Sequence, residues 1–325
     1  MGDSGDRLLI RARIEQAVPR LHLCHRRMGG CIVHDMIVVS TAMAVLGLAS
    51  SSCVARDART DGVMRLAKWE RGLKVESRQD EKGFAYFWFY EWHLFDAVAK
   101  GEHSHGSYAW PWVLNEQGTA AQMSSPWLKM QVEATVDGAA MTLDITNTTD
   151  HDWPEIAALI PCFNPGNPVW GQARNLLFLD EDHEHTYFLG KDGLDLIKGQ
   201  SPREIHFSHD YRAAIMAWKK ERGEEDFIFS EKWPTSDRDA YAGLLVREAQ
   251  DRQWTMGIAW ESFLSAQGHN PWNCMHLSVR VGPLKPGQSR TIRGRIYLIQ
   301  GSKEDCLKRF ERDFPKRTSD AGEGS

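Results

Sequence analysis

Short runs in which apolar residues alternate with polar ones recur from about Gly83 onward, each bounded by a turn signal. Residues 127–148 are the clearest case, because alternating apolar positions flank Asp137-Gly138, a pair typical of tight hairpins. Only residues 303–314 have convincing helical spacing. The other strand candidates are 187–189, 213–218, 227–229, 241–247, 254–260, 275–281 and 290–299. This pattern predicts an all-β fold, a large antiparallel β-sandwich with a short C-terminal helix.

The chain has no internal repeat of fixed period and no linker long enough to divide it. We therefore expect residues 56–316 to form a single β-sandwich domain, followed by a disordered tail at 317–325. Pro154 and Pro161 interrupt residues 153–163, which predicts an edge strand or irregular structure there, because proline cannot donate to a ladder.

The N-terminal segment contains the longest apolar run of the chain, residues 36–49, preceded by Arg26 and Arg27. The run has the length of a signal-peptide core and is short for a spanning helix, which needs about 20 apolar residues. Residues 1–55 are therefore predicted to be a signal-peptide region, with a secreted or periplasmic destination and no membrane span in the mature chain.

Two features of this segment leave alternatives open. Translation starting at Met28 or Met36 would shorten the long stretch before the apolar run. Cys53 lies where a lipoprotein cysteine could anchor the chain to the cell envelope, and plain cleavage between residues 49 and 55 is the other interpretation.

Tryptophan is unusually frequent, with 13 residues against 13 phenylalanines and 7 tyrosines. Flat aromatic rings stack on the apolar faces of sugars, so this excess indicates an oligo- or polysaccharide partner. In the alternative interpretation most of these rings fill the core, and roughly two to four face a ligand. The candidate substrate-binding residues are Trp92, Trp110, Trp112, Asn164, Arg174, Trp260, Gln267, Asn270 and Trp272.

Acid–base residues concentrate in residues 260–276, WESFLSAQGHNPWNCMH, which are expected to form a loop between two strands. Its candidate catalytic residues are Glu261, His269 and His276. The alternative is an ordinary long loop anchored by its apolar residues. Glu91 and His93 are further candidate catalytic residues, which would form a second wall of the active site. They would point to the same side, because residues two apart share one face of a strand.

These residues allow two kinds of enzyme. In the first, His269 or His276 transfers a proton at a sugar carbon while Arg174 or Asn270 neutralises the developing charge. In the second, Glu91 and Glu261 form the carboxylate pair of a glycoside hydrolase. A non-catalytic binding or cell-surface module is the rival class.

Metal and other cofactor motifs are few. His103 and His105 would lie on one face of a strand and could approach one divalent metal ion, although a surface loop fits them equally. Cys162, Cys274 and Cys306 remain after the signal region, either as one disulfide with a free thiol or as three free thiols. Motifs of serine esterases, nucleotide-binding enzymes and zincins are absent.

The nearly balanced charge bears on one further class of partner. Lys+Arg number 39 and Asp+Glu 44, with no long basic run, so nucleic-acid binding through phosphate contacts is not expected.

Two segments carry a resemblance to a known family. Residues 136–156, VDGAAMTLDITNTTDHDWPEI, and 282–299, GPLKPGQSRTIRGRIYLI, resemble strands of the β-supersandwich in galactose-mutarotase-like and polysaccharide-lyase domains. The resemblance covers about half of the mature chain. It implies a concave sheet that holds sugar, with His, Glu, Tyr or Arg performing proton transfer, as in a lyase or epimerase. Together with the predicted signal-peptide region, this gives a secreted carbohydrate-active protein.

Overall fold

Strands dominate the computed structural model, which describes residues 64–69, 72–93, 111–166, 175–180, 183–198, 204–222, 235–268 and 273–315, with the backbone alone at 89–93. Sixteen strands, β1 to β16 in chain order, form two sheets in this part of the chain, and all neighbouring strands are antiparallel. The predicted all-β sandwich is therefore confirmed.

The first sheet has seven strands. In spatial order they are β1 (Arg65–Trp69), β2 (Gly72–Glu76), β3 (Phe84–His93), β8 (Ala158–Asn164), β15 (Met275–Arg280), β14 (Phe263–Gln267) and β11 (His206–Phe207).

The second sheet has nine strands. In spatial order they are β10 (Gly193–Leu196), β9 (Thr186–Gly190), β12 (Leu244–Glu248), β13 (Trp254–Trp260), β16 (Ser289–Gln300), β7 (Gly138–Thr146), β6 (Leu128–Thr135), β5 (Ala120–Ser124) and β4 (Val113–Leu114).

The main core lies between the two sheets. Phe87, Phe163 and Leu277 enter it from the seven-stranded sheet, and Met130 and Ile258 enter it from the nine-stranded sheet. Burial alternates along β6 and β7 but is continuous along β8, β13, β14 and β15. In the seven-stranded sheet, β8, β14 and β15 are thus buried both on the face toward the core and on the face that points away from it.

The predicted hairpin at residues 127–148 is confirmed as β6 and β7. Thr135 pairs with Gly138, so Val136 and Asp137 form a two-residue loop. Gly138 has a φ of 141°, and a Cβ on it would lie 1.9 Å from the carbonyl oxygen of Ile296, so only glycine fits this position.

The predicted C-terminal helix is confirmed as α2 (Lys303–Asp313). Ser302 and Asp305 form a capping box at its N-terminus, and Cys306 and Phe310 are its buried residues. Arg309 joins the helix to the β6–β7 hairpin, because its Nε donates to Asp137 Oδ2 at 2.6 Å.

Two sequence-based expectations are wrong. Residues 213–218 belong to a helix, α1 (Arg212–Arg222), rather than a strand. The continuous apolar run fits either element, and the good helix formers that follow it favour the helix.

The second wrong expectation concerns β8, which lies centrally between β3 and β15 rather than at an edge. A bulge in β3 accommodates Pro161. Trp88 pairs with Cys162 and Trp92 with Ile160, so three residues of β3 oppose this single proline, which has no N–H to donate.

The terminal segments remain predictions. The signal-peptide region at 1–55 and the tail at 317–325 lie outside the described residues, and the single domain at 56–316 is likewise untested. Neither helix in the described part of the chain is long and apolar enough to cross a membrane.

Candidate functional site

Most predicted site residues lie where the structure describes no side chain. Outside the described residues are His103, His105, Trp110, Arg174, His269, Asn270 and Trp272. Glu91, Trp92 and His93 lie on β3, where the backbone alone is described. The remaining six predicted residues lie in three separate places.

The first place is a buried polar cluster on the seven-stranded sheet. Gln267 and His276 pair across β14 and β15, and His276 Nδ1 lies 2.7 Å from Gln267 Oε1. Asn164 donates from Nδ2 to Cys274 Sγ at 3.4 Å. All four side chains are at most 6% exposed, so the structure brings together three predicted residues and a cysteine that the sequence did not select as a site residue.

Strand alternation explains why this cluster forms. Phe163 and Met275 point into the core between the sheets, so their neighbours Cys162, Cys274 and His276 point to the opposite face. On that face Cys162 and Cys274 belong to one buried cluster with the aromatic residues Trp69, Phe84, Tyr86 and Trp88. The ligand atoms of the two cysteines and of His276 lie within 4.8 Å of one another.

The segment at residues 260–276 is not the single loop that the sequence predicts, because β14 occupies its middle. Glu261 precedes β14 and Gln267 ends it, and the strand between them, Phe263–Gln267, spans about 13 Å at 3.3 Å per residue. Glu261 and His276 therefore belong to different sites.

The second place is a cleft of about 1160 Å³ that Trp260 and Glu261 line. Its walls come from both sheets, from the segment before α1 and from the end of α2. Its charged and aromatic lining includes Tyr211, Tyr241, Arg280, Arg290 and Arg293.

Arg280 is a buried cation at this cleft, with 6% of its surface exposed. Its guanidinium lies 3.9 Å from the ring centroid of Tyr211, and its Nε donates to the carbonyl oxygen of Glu155 at 2.8 Å. Burial is the main cause that lowers the pKa of Arg280, and the positive charge of Arg290 lowers it further. Arg280 Nη2 also pairs with Glu155 Oε1 at 3.3 Å, and Ser262 Oγ donates to the Arg280 carbonyl oxygen while it accepts from Arg290.

Arg290 and Arg293 differ in how their charges are balanced. Arg290 donates to the carbonyl oxygen of Gly282 at 2.9 Å and to Ser262 Oγ at 3.2 Å, and no described carboxylate lies within 4.0 Å of it. Arg293 instead pairs with Glu261, with 2.9 Å between Nε and Oε2. The carboxylate of Glu261 is therefore already neutralised by Arg293.

Tyr241 provides an aromatic surface at the same cleft. It is 40% exposed, and its ring stacks on that of His209 with 4.4 Å between centroids. Sequence reasoning missed Tyr241, Arg280 and Arg290. A readable signal existed for Arg280, since His276, Ser278 and Arg280 occupy alternate positions in an otherwise apolar strand.

The third place holds Trp112 alone. This residue is 4% exposed and belongs to the core between the sheets, where its ring contacts Phe87. The structure thus places Trp112 apart from both the polar cluster and the cleft.

A buried histidine makes the stability of the fold depend on pH. His206 is fully buried on β11, with Nδ1 3.0 Å from the carbonyl oxygen of Arg238. Burial is the main cause that lowers its pKa below 6.5. As the pH falls below 6.5, the unfolded chain binds a proton before the folded chain does, so stability falls.

We expect the urea midpoint to decrease from pH 7 to pH 5, with His206 contributing at most about 1.4 kcal/mol per pH unit. Between pH 7 and pH 5, the urea midpoint of His206→Phe should decrease less than that of the wild-type chain. Equal slopes for the two proteins would contradict this assignment.

No protein-family model matches the chain, and no curated protein matches it. Solved structures do match. A putative aldose 1-epimerase from Escherichia coli has 10% identity and a TM-score of 0.34, covering 73% of this chain and 99% of that one. A galactose mutarotase-like protein from Lactobacillus casei has 12% identity and a TM-score of 0.36, covering 73% and 97%.

A polysaccharide lyase also matches, with 10% identity and a TM-score of 0.36, covering 77% of this chain and 34% of that one. The chain is thus weakly similar to structures of the kind that residues 136–156 and 282–299 resemble. The fold assignment itself rests on the strand pairing of this chain.

Proposed function

We propose that the chain binds an acidic oligo- or polysaccharide in the cleft lined by Arg280, Arg290 and Tyr241. One observation carries this proposal. Arg290 lines the cleft with Arg280, both contact Ser262, and the charge of Arg290 has no carboxylate partner among the described residues. Because Arg280 already pairs with Glu155, a bound anion would supply the counter-charge that Arg290 alone lacks.

A carboxylate suits these groups better than a neutral hydroxyl does. Guanidinium presents five N–H donors in a planar fork that matches a carboxylate, and hydrogen bonds between charged groups are about twice as strong as neutral ones. The described contacts of Arg290 use two donors. Its remaining donors can bind the carboxylate of a uronic acid.

The rest of the cleft suits sugar rings. Tyr241 is 40% exposed, and the face of its ring that does not stack on His209 can stack on a sugar, while Asp210 adds a carboxylate that can accept from hydroxyl groups. The cleft volume of about 1160 Å³ slightly exceeds the roughly 300–1,000 Å³ of ordinary small-molecule pockets. These features favour an oligosaccharide over a single sugar.

The proposed activity is binding, without chain cleavage. His276 lies in the buried cluster and does not line this cleft, and Glu261 is held by Arg293. Proton transfer by His269 or His276 and hydrolysis by Glu91 with Glu261 stay predictions. Secretion, predicted from residues 36–49, would bring the cleft into contact with extracellular polysaccharides.

Affinity electrophoresis of the full chain in gels that contain polyuronates or neutral glucans tests the proposal. We expect retardation by the polyuronates alone, weakening as salt is added because salt screens exposed charges. Equal retardation by neutral glucans, or none by any polyuronate, would contradict it. Ultraviolet absorbance from an unsaturated product, or the release of reducing ends, would show that the protein cleaves the polysaccharide. Either signal would contradict the proposal of binding alone.

A further inference from the structure

We propose that Cys162, Cys274 and His276 form a Zn²⁺ site on the buried face of the seven-stranded sheet. The site shares no residue with the cleft and does not depend on saccharide binding. It also differs from the predicted metal pair His103 and His105, which lies outside the described residues.

Strand geometry brings the three ligands together. Cys274 immediately precedes β15 and His276 is the second residue of that strand, so side chains two residues apart share a face. Cys162 on β8 pairs directly with His276. Side chains of directly paired residues on one face lie close together.

The separations of the ligand atoms suit a small metal ion. The two sulfurs and an imidazole nitrogen lie within 4.8 Å of one another. Zn–S bonds of about 2.3 Å and Zn–N bonds of about 2.0–2.1 Å place tetrahedral ligand atoms roughly 3.5–3.8 Å apart. Small side-chain rotations would bring the ligand atoms from separations of up to 4.8 Å to these distances. Two cysteines and one histidine are also a ligand set that zinc uses when a fourth position is left for another ligand.

Neighbouring polar groups orient the ligands. His276 Nδ1 lies 2.7 Å from Gln267 Oε1, a carbonyl-type oxygen that accepts a hydrogen bond, so Nδ1 carries the hydrogen and Nε2 is the metal ligand. Asn164 Nδ2 donates to Cys274 Sγ at 3.4 Å, as expected for a sulfur that carries negative charge.

Charge balance also favours zinc in this buried position. Two thiolates and one Zn²⁺ sum to zero, so the occupied site adds no net charge to the interior, where an unbalanced charge is costly. The structure records no disulfide among the described cysteines, and zinc binds cysteine as the thiolate.

Cobalt substitution tests the site. The full chain, purified under reducing conditions and freed of metal, is titrated with Co²⁺ and then with Zn²⁺. We expect one equivalent of Co²⁺ to produce a thiolate-to-cobalt charge-transfer band, which Zn²⁺ then removes. The band should be lost in Cys162→Ser and in Cys274→Ser. It should persist in Cys306→Ser, a matched control because Cys306 is equally buried but lies in the cluster beneath α2.

A second variant keeps all three ligands and separates metal binding from folding. Gln267→Leu should weaken zinc binding about 10–100-fold in competition with a chelator, because it removes the group that orients His276. Absence of the band in the wild-type chain would overturn the proposal, as would its persistence in both serine variants. A Cys162–Cys274 disulfide that mass spectrometry finds in the purified chain would also overturn it.

Discussion

Replacing Asp180 with alanine is expected to lower the free energy of unfolding by about 3–5 kcal/mol, because the change leaves a buried arginine without its counter-charge. Arg247 is fully buried, and its Nε lies 3.8 Å from Asp180 Oδ2. Burial is the main cause that lowers the pKa of Arg247 to about 10, and the charge of Asp180 opposes that shift.

Asp180 also accepts several hydrogen bonds that the alanine variant would lose. Its carboxylate accepts from the backbone of Glu184 at 2.9 Å and of His185 at 3.2 Å, and from Thr186 Oγ1 at 2.6 Å. Arg247 in turn donates to the carbonyl oxygen of Asn273 at 2.9 Å. The network therefore links β9 and β12 of one sheet to the start of β15 in the other.

Urea unfolding at pH 7 measures this effect. Glu184→Gln is the matched control, because its exposed ion pair with Lys198 spans 3.8 Å and such pairs contribute at most about 1 kcal/mol. The double variant Asp180→Ala/Arg247→Met should recover part of the loss, since it leaves no unpaired charge. A loss below 1 kcal/mol for Asp180→Ala would show that the charge of Arg247 is compensated elsewhere.

Replacing Arg290 with glutamine is expected to weaken binding of a polyuronate about 10–100-fold. The variant removes a hydrogen bond between two charged groups, which contributes about 1.5–3 kcal/mol, and each 1.4 kcal/mol corresponds to a tenfold change. Glutamine retains an amide that can still donate to Ser262 or Gly282, so the local structure should persist.

Arg293→Gln is the control for this measurement, because Arg293 lines the same cleft but already pairs with Glu261. We expect it to change the affinity less than threefold, in line with the small energies of exposed pairs. If the two variants weakened binding equally, the net charge of the cleft would be the cause rather than the uncompensated charge of Arg290.

The sequence predicted the elements whose determinants are local. The β6–β7 hairpin and α2 follow from a turn signal, a capping serine and periodicity within about twenty residues. The central position of β8 could not be predicted in this way, because the bulge that accommodates Pro161 lies in β3, more than sixty residues earlier.

The same distinction applies to the sites. Gln267 and His276 are close in sequence, and both were selected together. The contact of His276 with Cys162 depends on the pairing of β8 with β15, which no local pattern reveals. Likewise, Arg280 and Arg290 meet Tyr241 only because both sheets contribute to one cleft.

The most direct test of the proposed function compares one polysaccharide in two chemical forms. Calorimetric titration of the full chain with a polyuronate, and with the same polymer after its carboxylates are reduced to alcohols, isolates the carboxylate from size and stacking. We expect binding to the polyuronate and a loss of at least tenfold for the reduced form, as for Arg290→Gln. Equal affinity for the two forms would contradict recognition of an acidic saccharide by the arginines of the cleft.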